Sequence, residues 1–296
     1  MALPRLTVHG STALVTGAAG GMGEHIARGL ARRGCDVVLV DVLAEGLERV
    51  AESIRAESPA VTVTTDVVDL SDRSATEALG RRVATNHPDL NLVFNNAGVA
   101  LGGRLNDVDL ADIDWLLEIN LHAPIRLTHA LLPLLMENGN AHVVNTSSLF
   151  GLIGPPGQTP YCTAKFGLRG FSESLRSELA ERRAPVGLTV VHPGGIRTNI
   201  ATHARIGARV DPVEKAEQQK SFEKLLHYPA DRAAEEIIEA AIARRPRLLI
   251  GSDAKALDVL ARLAPGSYWR VLGPLTAAGQ RRSARSRGPR ALLRRR

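Results

Sequence analysis

Seven short runs of β-branched and aliphatic residues punctuate this chain: Ala13–Thr16, Val37–Val40, Val61–Thr65, Leu92–Phe94, His142–Thr146, Leu188–Val191 and Leu248–Ile250. Stretches of helical periodicity lie between them, at Glu24–Arg33, Ala44–Glu57, Ala111–Met136, Pro160–Arg182 and Arg232–Ala243. Strands separated by crossover-length helices pair in parallel, and a parallel sheet must be covered on both faces. The expected fold class is therefore α/β, a doubly wound, Rossmann-like parallel sheet forming one domain over residues 1–251. Residues 252–280 follow the last strand as a helical C-terminal extension, because Leu257, Leu260 and Ala264 recur at helical spacing and Tyr268, Trp269, Val271 and Leu272 follow. Residues 281–296 read as an Arg-rich, disordered tail. Gly195–Tyr228 is long for a connection and reads as a functional insertion, a lid whose second half (PVEKAEQQKSFEKLL) is a polar helix.

The formal charge of +6 over 296 residues raises the question of nucleic acid. Eight arginines and no acidic residue stand in Arg281–Arg296, which leaves the rest of the chain at −2. The basicity belongs to the tail, so no nucleic-acid partner is expected. The tail and the extension are instead where weak contact with a membrane surface is expected. Cys35 and Cys162 have no metal-like spacing and are too few for a disulfide scaffold, which points to a reducing compartment. No apolar run approaches a membrane span, and the first strand-like run begins too early for a cleavable leader. The expected location is the cytoplasm.

TGAAGGMG stands between the first strand and the first helix. Glycines at Gly17, Gly21 and Gly23 allow backbone N–H groups to approach a pyrophosphate, and the helix N-terminus adds its positive dipole end. A glycine-rich turn also serves tight strand–helix packing on its own. Asp41 tips the balance, because it ends the second strand 18 residues beyond Gly23. A carboxylate there hydrogen-bonds ribose hydroxyls and repels a 2′-phosphate, so NAD is expected over NADP. No basic residue occurs within TGAAGGMG or in the VLAEG after Asp41. The third and fourth strands run into Asp66 and into Asn95-Asn96-Ala97-Gly98, again at carboxyl ends, where such sheets bind ligands.

Tyr161 and Lys165 stand four residues apart on one helix face, with Thr159 as the expected N-cap and Pro160 at the first helical position. A tyrosine titrates near 10, too high for a base at neutral pH, but an ammonium together with an oxidised nicotinamide would lower it. Ser148 ends the fifth strand, where its hydroxyl could hold a reacting oxygen. Asn120 lies mid-helix, where asparagine is most often a solvated surface residue.

These motifs, TGAAGGMG, Asp66, NNAG, Asn120, Ser148, the YCTAK from Tyr161 to Lys165 and the HPGGIRT from His192 to Thr198, occur in an order that resembles the short-chain dehydrogenase/reductase family over about residues 8–251. The resemblance implies a catalytic tetrad of Asn120, Ser148, Tyr161 and Lys165, with Asn120 holding a water that passes protons to Lys165. It implies cofactor contacts at Thr16, Gly17, Gly21, Met22, Gly23, Asp41, Asp66, Val67, Asn96, Ala97, Gly98, Tyr161, Lys165, Pro193, Gly194, Ile196 and Thr198. No metal is implied. A homodimer or homotetramer is implied, built on the helices carrying Asn120 and Tyr161. The expected reaction passes a hydride between NAD(H) and a small-molecule secondary alcohol or ketone.

That substrate is expected to be lipophilic, since Leu149, Phe150, Leu152, Ile153, Pro155 and Pro156 follow Ser148 and no Arg or Lys occurs from Ser148 to Thr163, although the same residues equally suit the packing of a loop. Three rival readings stand beside it. One is an NADPH-dependent ketone reductase of the 3-oxoacyl type, against which Asp41 argues. Another is a cofactor-binding module without chemistry, against which the intact Ser148–Tyr161–Lys165 set argues. The third is a protein acting through attachment of its tail.

Overall fold

The alternation resolves into one parallel sheet. The protein was analysed as a computed structural model that describes residues 3–211, 213, 215–216, 225–270 and 272–273. Its first half runs β1 (Thr12–Thr16), α1 (Gly21–Ala31), β2 (Asp36–Asp41), α2 (Ala44–Glu57), β3 (Val63–Val67), α3 (Arg73–Asn86) and β4 (Leu90–Asn95). A two-residue β5 (Leu101–Gly102) leads to α4 (Leu110–Leu117), a π-helical turn (Glu118–His122) and α5 (Ala123–Asn138). The second half runs β6 (Ala141–Thr146), α6 (Thr159–Glu181), β7 (Val186–Pro193), β8 (Ile196–Arg197), β9 (Arg205–Ile206), β10 (Tyr228–Pro229), α7 (Ala230–Ile242), β11 (Arg247–Ile250) and α8 (Ser252–Leu263).

Among the described residues the main sheet has seven strands in the order β3-β2-β1-β4-β6-β7-β11, every neighbouring pair parallel. Because side chains alternate along a strand, each strand feeds two cores. Ala13, Val15, Val37, Leu39, Leu92 and Phe94 pack with α1, α2 and α7, and Leu14, Val38, Val40 and Val93 pack with α3, α5 and α6 on the other face. Each fully buried Leu, Ile or Phe side chain contributes about 1.5–3 kcal/mol. The order reverses between β1 and β4, so the segments leaving those strands diverge and open a crevice at their carboxyl ends. The main fold is thus a single Rossmann-like domain.

Three expectations are corrected here. The long helix expected over Ala111–Met136 is α4 and α5 joined by the π turn, whose extra residue rotates Asn120 inward until it is fully buried. It is not a surface residue. The N-cap of α6 is Gln158, with Thr159 already helical. A helix that the periodicity did not reveal, α3, fills the crossover between β3 and β4. In the stretch expected to be a lid, β8 pairs with β10 and β9 with β5, which straps it to the body. Most of its polar second half lies outside the described residues, as does the Arg-rich tail.

Candidate active site

The glycine-rich turn is held from below. Asp41 accepts the Ala19 N–H through Oδ2 at 3.0 Å and the Leu43 N–H through Oδ1 at 3.1 Å, tying the turn to the end of β2. Thr16 Oγ1 accepts the N–H groups of Asn96 and Ala97, both at 3.0 Å, and Asn96 Nδ2 donates to the Thr16 carbonyl at 3.2 Å. The segments leaving β1 and β4 are therefore joined across the switch point. Gly17 has φ +69°, and a Cβ on Gly23 would stand 2.0 Å from the Gly17 carbonyl oxygen, so neither position tolerates a side chain. Gly20 begins α1 in extended conformation, and among the described residues no side chain caps it. The first-turn donors of α1 are left for an anion.

The ends of β2 and β3, where the adenosine half was expected, are partly exposed. Exposed Val42, Leu43 and Val67 flank Asp41 and Asp66, and Asp41 pairs with Val67 in the sheet register. Two arginines stand here that the sequence reading did not weigh. Arg82 on α3 pairs with Asp66 at 2.7 Å, and Arg49 on α2 donates to the Ala19 carbonyl at 3.0 Å while pairing with Glu24. Arg82 was hidden because α3 itself was. Arg49 lies eight residues past Asp41, just beyond the VLAEG stretch that carries no basic residue.

At the other end, Thr198 closes on the turn, with its Cγ2 3.1 Å from where a Gly21 Cβ would be. Pro193 ends β7. Ile196 is buried in the core, so whatever it offers a ligand comes from its main chain. Met22 also packs against that core. An uncapped helix start, a carboxylate at the end of β2 and exposed apolar side chains beside it together fit a dinucleotide.

Ser148, Tyr161 and Lys165 meet between β6 and α6. Lys165 is buried and donates from Nζ to the Thr146 carbonyl at 2.9 Å, and Nζ lies 5.7 Å from the centre of the Tyr161 ring. Burial lowers its pKa to about 8, which leaves it mostly protonated at neutral pH. The Tyr161 phenol is pushed up to about 12 by burial, with a hydrogen bond from Ser148 pulling the other way. The protein's own groups thus raise this phenol, where the sequence suggested a lowering. Ser148 Oγ also accepts the Phe150 N–H at 3.1 Å, and Phe150 meets the Tyr161 ring edge-on with centroids 6.1 Å apart.

Asn120 reaches the same place by a different route. Its amide grips the Val99 main chain twice, accepting the N–H and donating to the carbonyl, both at 2.8 Å. A Cβ on Gly98 would stand 3.3 Å from Asn120 Oδ1 and 3.4 Å from Lys165 Nζ, so Gly98 is the spacer between them. Each of these two bonds uses half of what its atom can make, so the Asn120 amide is anchored on Val99. Beneath the site, Asn95 Nδ2 donates to Asn145 Oδ1 at 2.8 Å and Asn145 Nδ2 to Ser172 Oγ at 2.9 Å, fastening β4, β6 and α6 together.

The apolar run after Ser148 is not an open pocket wall. Leu149, Leu152 and Ile153 are buried against Ala254, Leu257, Ala261, Tyr268 and Leu272 of the extension. Part of the extension's apolar side is spent on this loop, while Val259 and Leu263 stay exposed. A cavity of about 400 Å³ lined by Gly154, Pro155, Thr159, Cys162, Thr163 and Phe166 lies on the flank of α6. Tyr161, Ser148 and Lys165 do not line it, so the chemistry lies elsewhere. Among the described residues no group of His, Cys, Asp or Glu is placed to hold a metal, and no helix is long and apolar enough to cross a membrane.

Residues 11–208 match the family model described as short chain dehydrogenase. This chain belongs to the short-chain dehydrogenase/reductase family. It is 36% identical over 270 residues to the Mycobacterium tuberculosis protein named as oxidoreductase SadH, covering 89% of this chain and 94% of that one. A short-chain dehydrogenase/reductase from Burkholderia phymatum, solved in complex with NAD, superposes with a TM-score of 0.79 at 26% identity, covering 87% of this chain and 95% of that chain. A short-chain dehydrogenase from Sphingobium yanoikuyae, solved with NADPH, gives a TM-score of 0.71 at 26% identity, with 95% and 97% covered. The chain is accordingly an oxidoreductase of the kind that uses a nicotinamide cofactor.

Proposed function

We propose that this chain is an NAD-preferring dehydrogenase that interconverts a lipophilic secondary alcohol and its ketone, with Asn120, Ser148, Tyr161 and Lys165 as its catalytic group. The observation that carries the reading is the meeting of the Tyr161 phenol with Ser148 and Lys165 at the carboxyl ends of the strands, beside the glycine-rich turn. A bound nicotinamide would supply the hydride acceptor in oxidation and the donor in reduction.

The protein's own part is position and proton transfer. Thr16, Gly17, Gly21, Met22 and Gly23 bind the pyrophosphate, and Asp41, Asp66, Val67 and Asn96 hold the adenosine half. Ala97, Gly98, Pro193, Gly194, Ile196 and Thr198 enclose the nicotinamide half. Ser148 donates its hydroxyl hydrogen to the substrate oxygen, and Tyr161 exchanges the proton on that oxygen. A phenol raised to about 12 holds its proton at neutral pH and is ready to give it to a ketone. In the oxidising direction Lys165, charged beside it, stabilises the phenolate. Tyr161 packs against an apolar cluster of Leu101, Val108, Leu116 and Ala164, and apolar surroundings of this kind favour an apolar substrate body. The reading includes a homo-oligomer in a reducing compartment, checked by light scattering.

Asp41 supports NAD. A second reading, an NADPH-dependent ketone reductase, is favoured by Arg49, whose guanidinium meets the turn at Ala19, the same residue that Asp41 holds. Titration with NADH and NADPH decides between them. We expect tighter NADH binding, and Asp41→Ala should narrow the gap by relieving repulsion of the 2′-phosphate. Tighter NADPH binding by the parent protein would refute the discrimination by Asp41. A screen of lipophilic secondary alcohols with NAD, followed by NADH absorbance, tests the substrate class.

A further inference from the structure

Strands β7 and β11 are parallel neighbours in which Pro193 is opposite Ile250, so the segments leaving them emerge side by side. The Gly194 N–H donates to the Ile250 carbonyl at 2.9 Å. Gly251, at φ +94°, then turns the chain into α8 and brings Asp253, in its first turn, back against the end of β7. Asp253 Oδ2 accepts the Gly195 N–H at 3.0 Å. The fit is close, since a Cβ on Gly194 would stand 2.2 Å from the Asp253 carboxylate and one on Gly251 would stand 2.3 Å from it. Asp253 Oδ1 is buried and has no hydrogen-bond partner among the described residues. A carboxylate oxygen left in that state is costly, and a helix start alone does not require it.

We propose that Asp253 is a positioning residue for the turn that closes over the cofactor: by holding the main chain at Gly195, it sets where Pro193–Thr198 stands above the glycine-rich turn. The proposal rests on the reading that this turn encloses a nicotinamide cofactor. Its mechanical basis is independent of that reading. Helix α8 is a firm support, because Arg247 grips Asp258 with two bonds of 3.0 and 2.6 Å, and the Gly154 N–H donates to the Tyr268 hydroxyl at 2.8 Å. Helix α8 and the segment after it therefore touch both loops that border the site: the loop after Ser148, through Leu257 and Tyr268, and the turn before Thr198, through Asp253. The extension thus touches the segments leaving β6 and β7, strands that are already neighbours in the main sheet, and Asp253 is its contact with the cofactor side.

The test uses the full-length protein, NADH binding followed by fluorescence, and hydrogen exchange of the backbone amides without cofactor. Asp253→Ala should weaken NADH binding by about 10-fold and speed exchange at Gly195 and Ile196, while the amides of Leu257–Leu260 keep their protection. Asp253→Asn keeps an acceptor oxygen in the same place and should restore most of the affinity. Gly194→Ala should displace the carboxylate and mimic the loss, and the double variant with Asp253→Ala should be no worse than Asp253→Ala alone. Parental affinity and exchange in Asp253→Ala would overturn the proposal, and so would additive effects in the double variant. If the parent protein bound neither NADH nor NADPH, the cofactor reading would fail, and the exchange rates and the double-variant cycle read on thermal stability would still decide on Asp253.

Discussion

Replacing Thr16 by valine keeps the shape of the side chain and removes one oxygen. That oxygen is the acceptor for the N–H groups of Asn96 and Ala97, each at 3.0 Å, and Thr16 itself is buried. An orphaned buried donor costs about 1–3 kcal/mol. Asn96 and Ala97 are half-buried, so water reaches the vacated positions in part and the lower end applies, about 2 kcal/mol for the pair. In a domain of this size that corresponds to a fall in Tm of roughly 4–8 °C. The loss is also local to function, because Asn96 holds the Thr16 carbonyl at the base of the glycine-rich turn, so NADH affinity should fall in step. Thr16→Ser retains the oxygen and should lose less than half as much. Thermal unfolding and NADH titration of the two variants form the assay. An unchanged midpoint in Thr16→Val, or a serine variant as damaged as the valine one, would show that the hydroxyl is not what joins β1 to the segment after β4.

Tyr161→Phe should bind NADH nearly as the parent does and lose turnover by about 10²–10⁴-fold, since only the phenol oxygen exchanges the proton; near-normal turnover would remove Tyr161 from the mechanism. Stability should fall as pH drops from about 6.5 toward 4, followed by urea unfolding across that range. Burial lowers His142 to about 3 and His192 to about 4, so below their ordinary value near 6.5 the unfolded chain binds protons that the folded chain refuses. His142→Gln should flatten that slope, and a slope unchanged by the substitution would mean that His142 is not held neutral by its surroundings.

Much of the fold was legible because a parallel sheet writes itself as β-branched runs at crossover spacing. All seven expected strands are present, with the run at Val61–Thr65 displaced to Val63–Val67. Helix α3 was missed for a physical reason. Its segment (RSATEALGRRVATN) carries only Leu79, Val83 and small residues on its buried face, so the apolar period is faint. The signal was at its start, where the Asp72 side chain accepts the Ala75 N–H at 3.0 Å as an N-cap. The π turn was missed because nothing in its local sequence distinguishes it from a helix. Its cause is tertiary, the pull of Val99 on the Asn120 amide.

The site divides along the same line. Groups that end strands, such as Asp41, Asp66 and Ser148, could be located from sequence, because the carboxyl edge of a parallel sheet is a single place and the order of strands delivers each of them to it. Groups that act across the sheet could not. Asp253 stands 58 residues beyond Gly195, and only the adjacency of β7 and β11 brings the two together. The apolar run after Ser148 misled for the same reason. Its composition suits a substrate wall, but the helix that follows β11 comes to lie beside β7 and then over the loop leaving β6, and it buries Leu149, Leu152 and Ile153. Phe150, at the edge of the Tyr161 ring, is the member of that run that stands beside the phenol. The extension instead fixes the loop that carries Ser148.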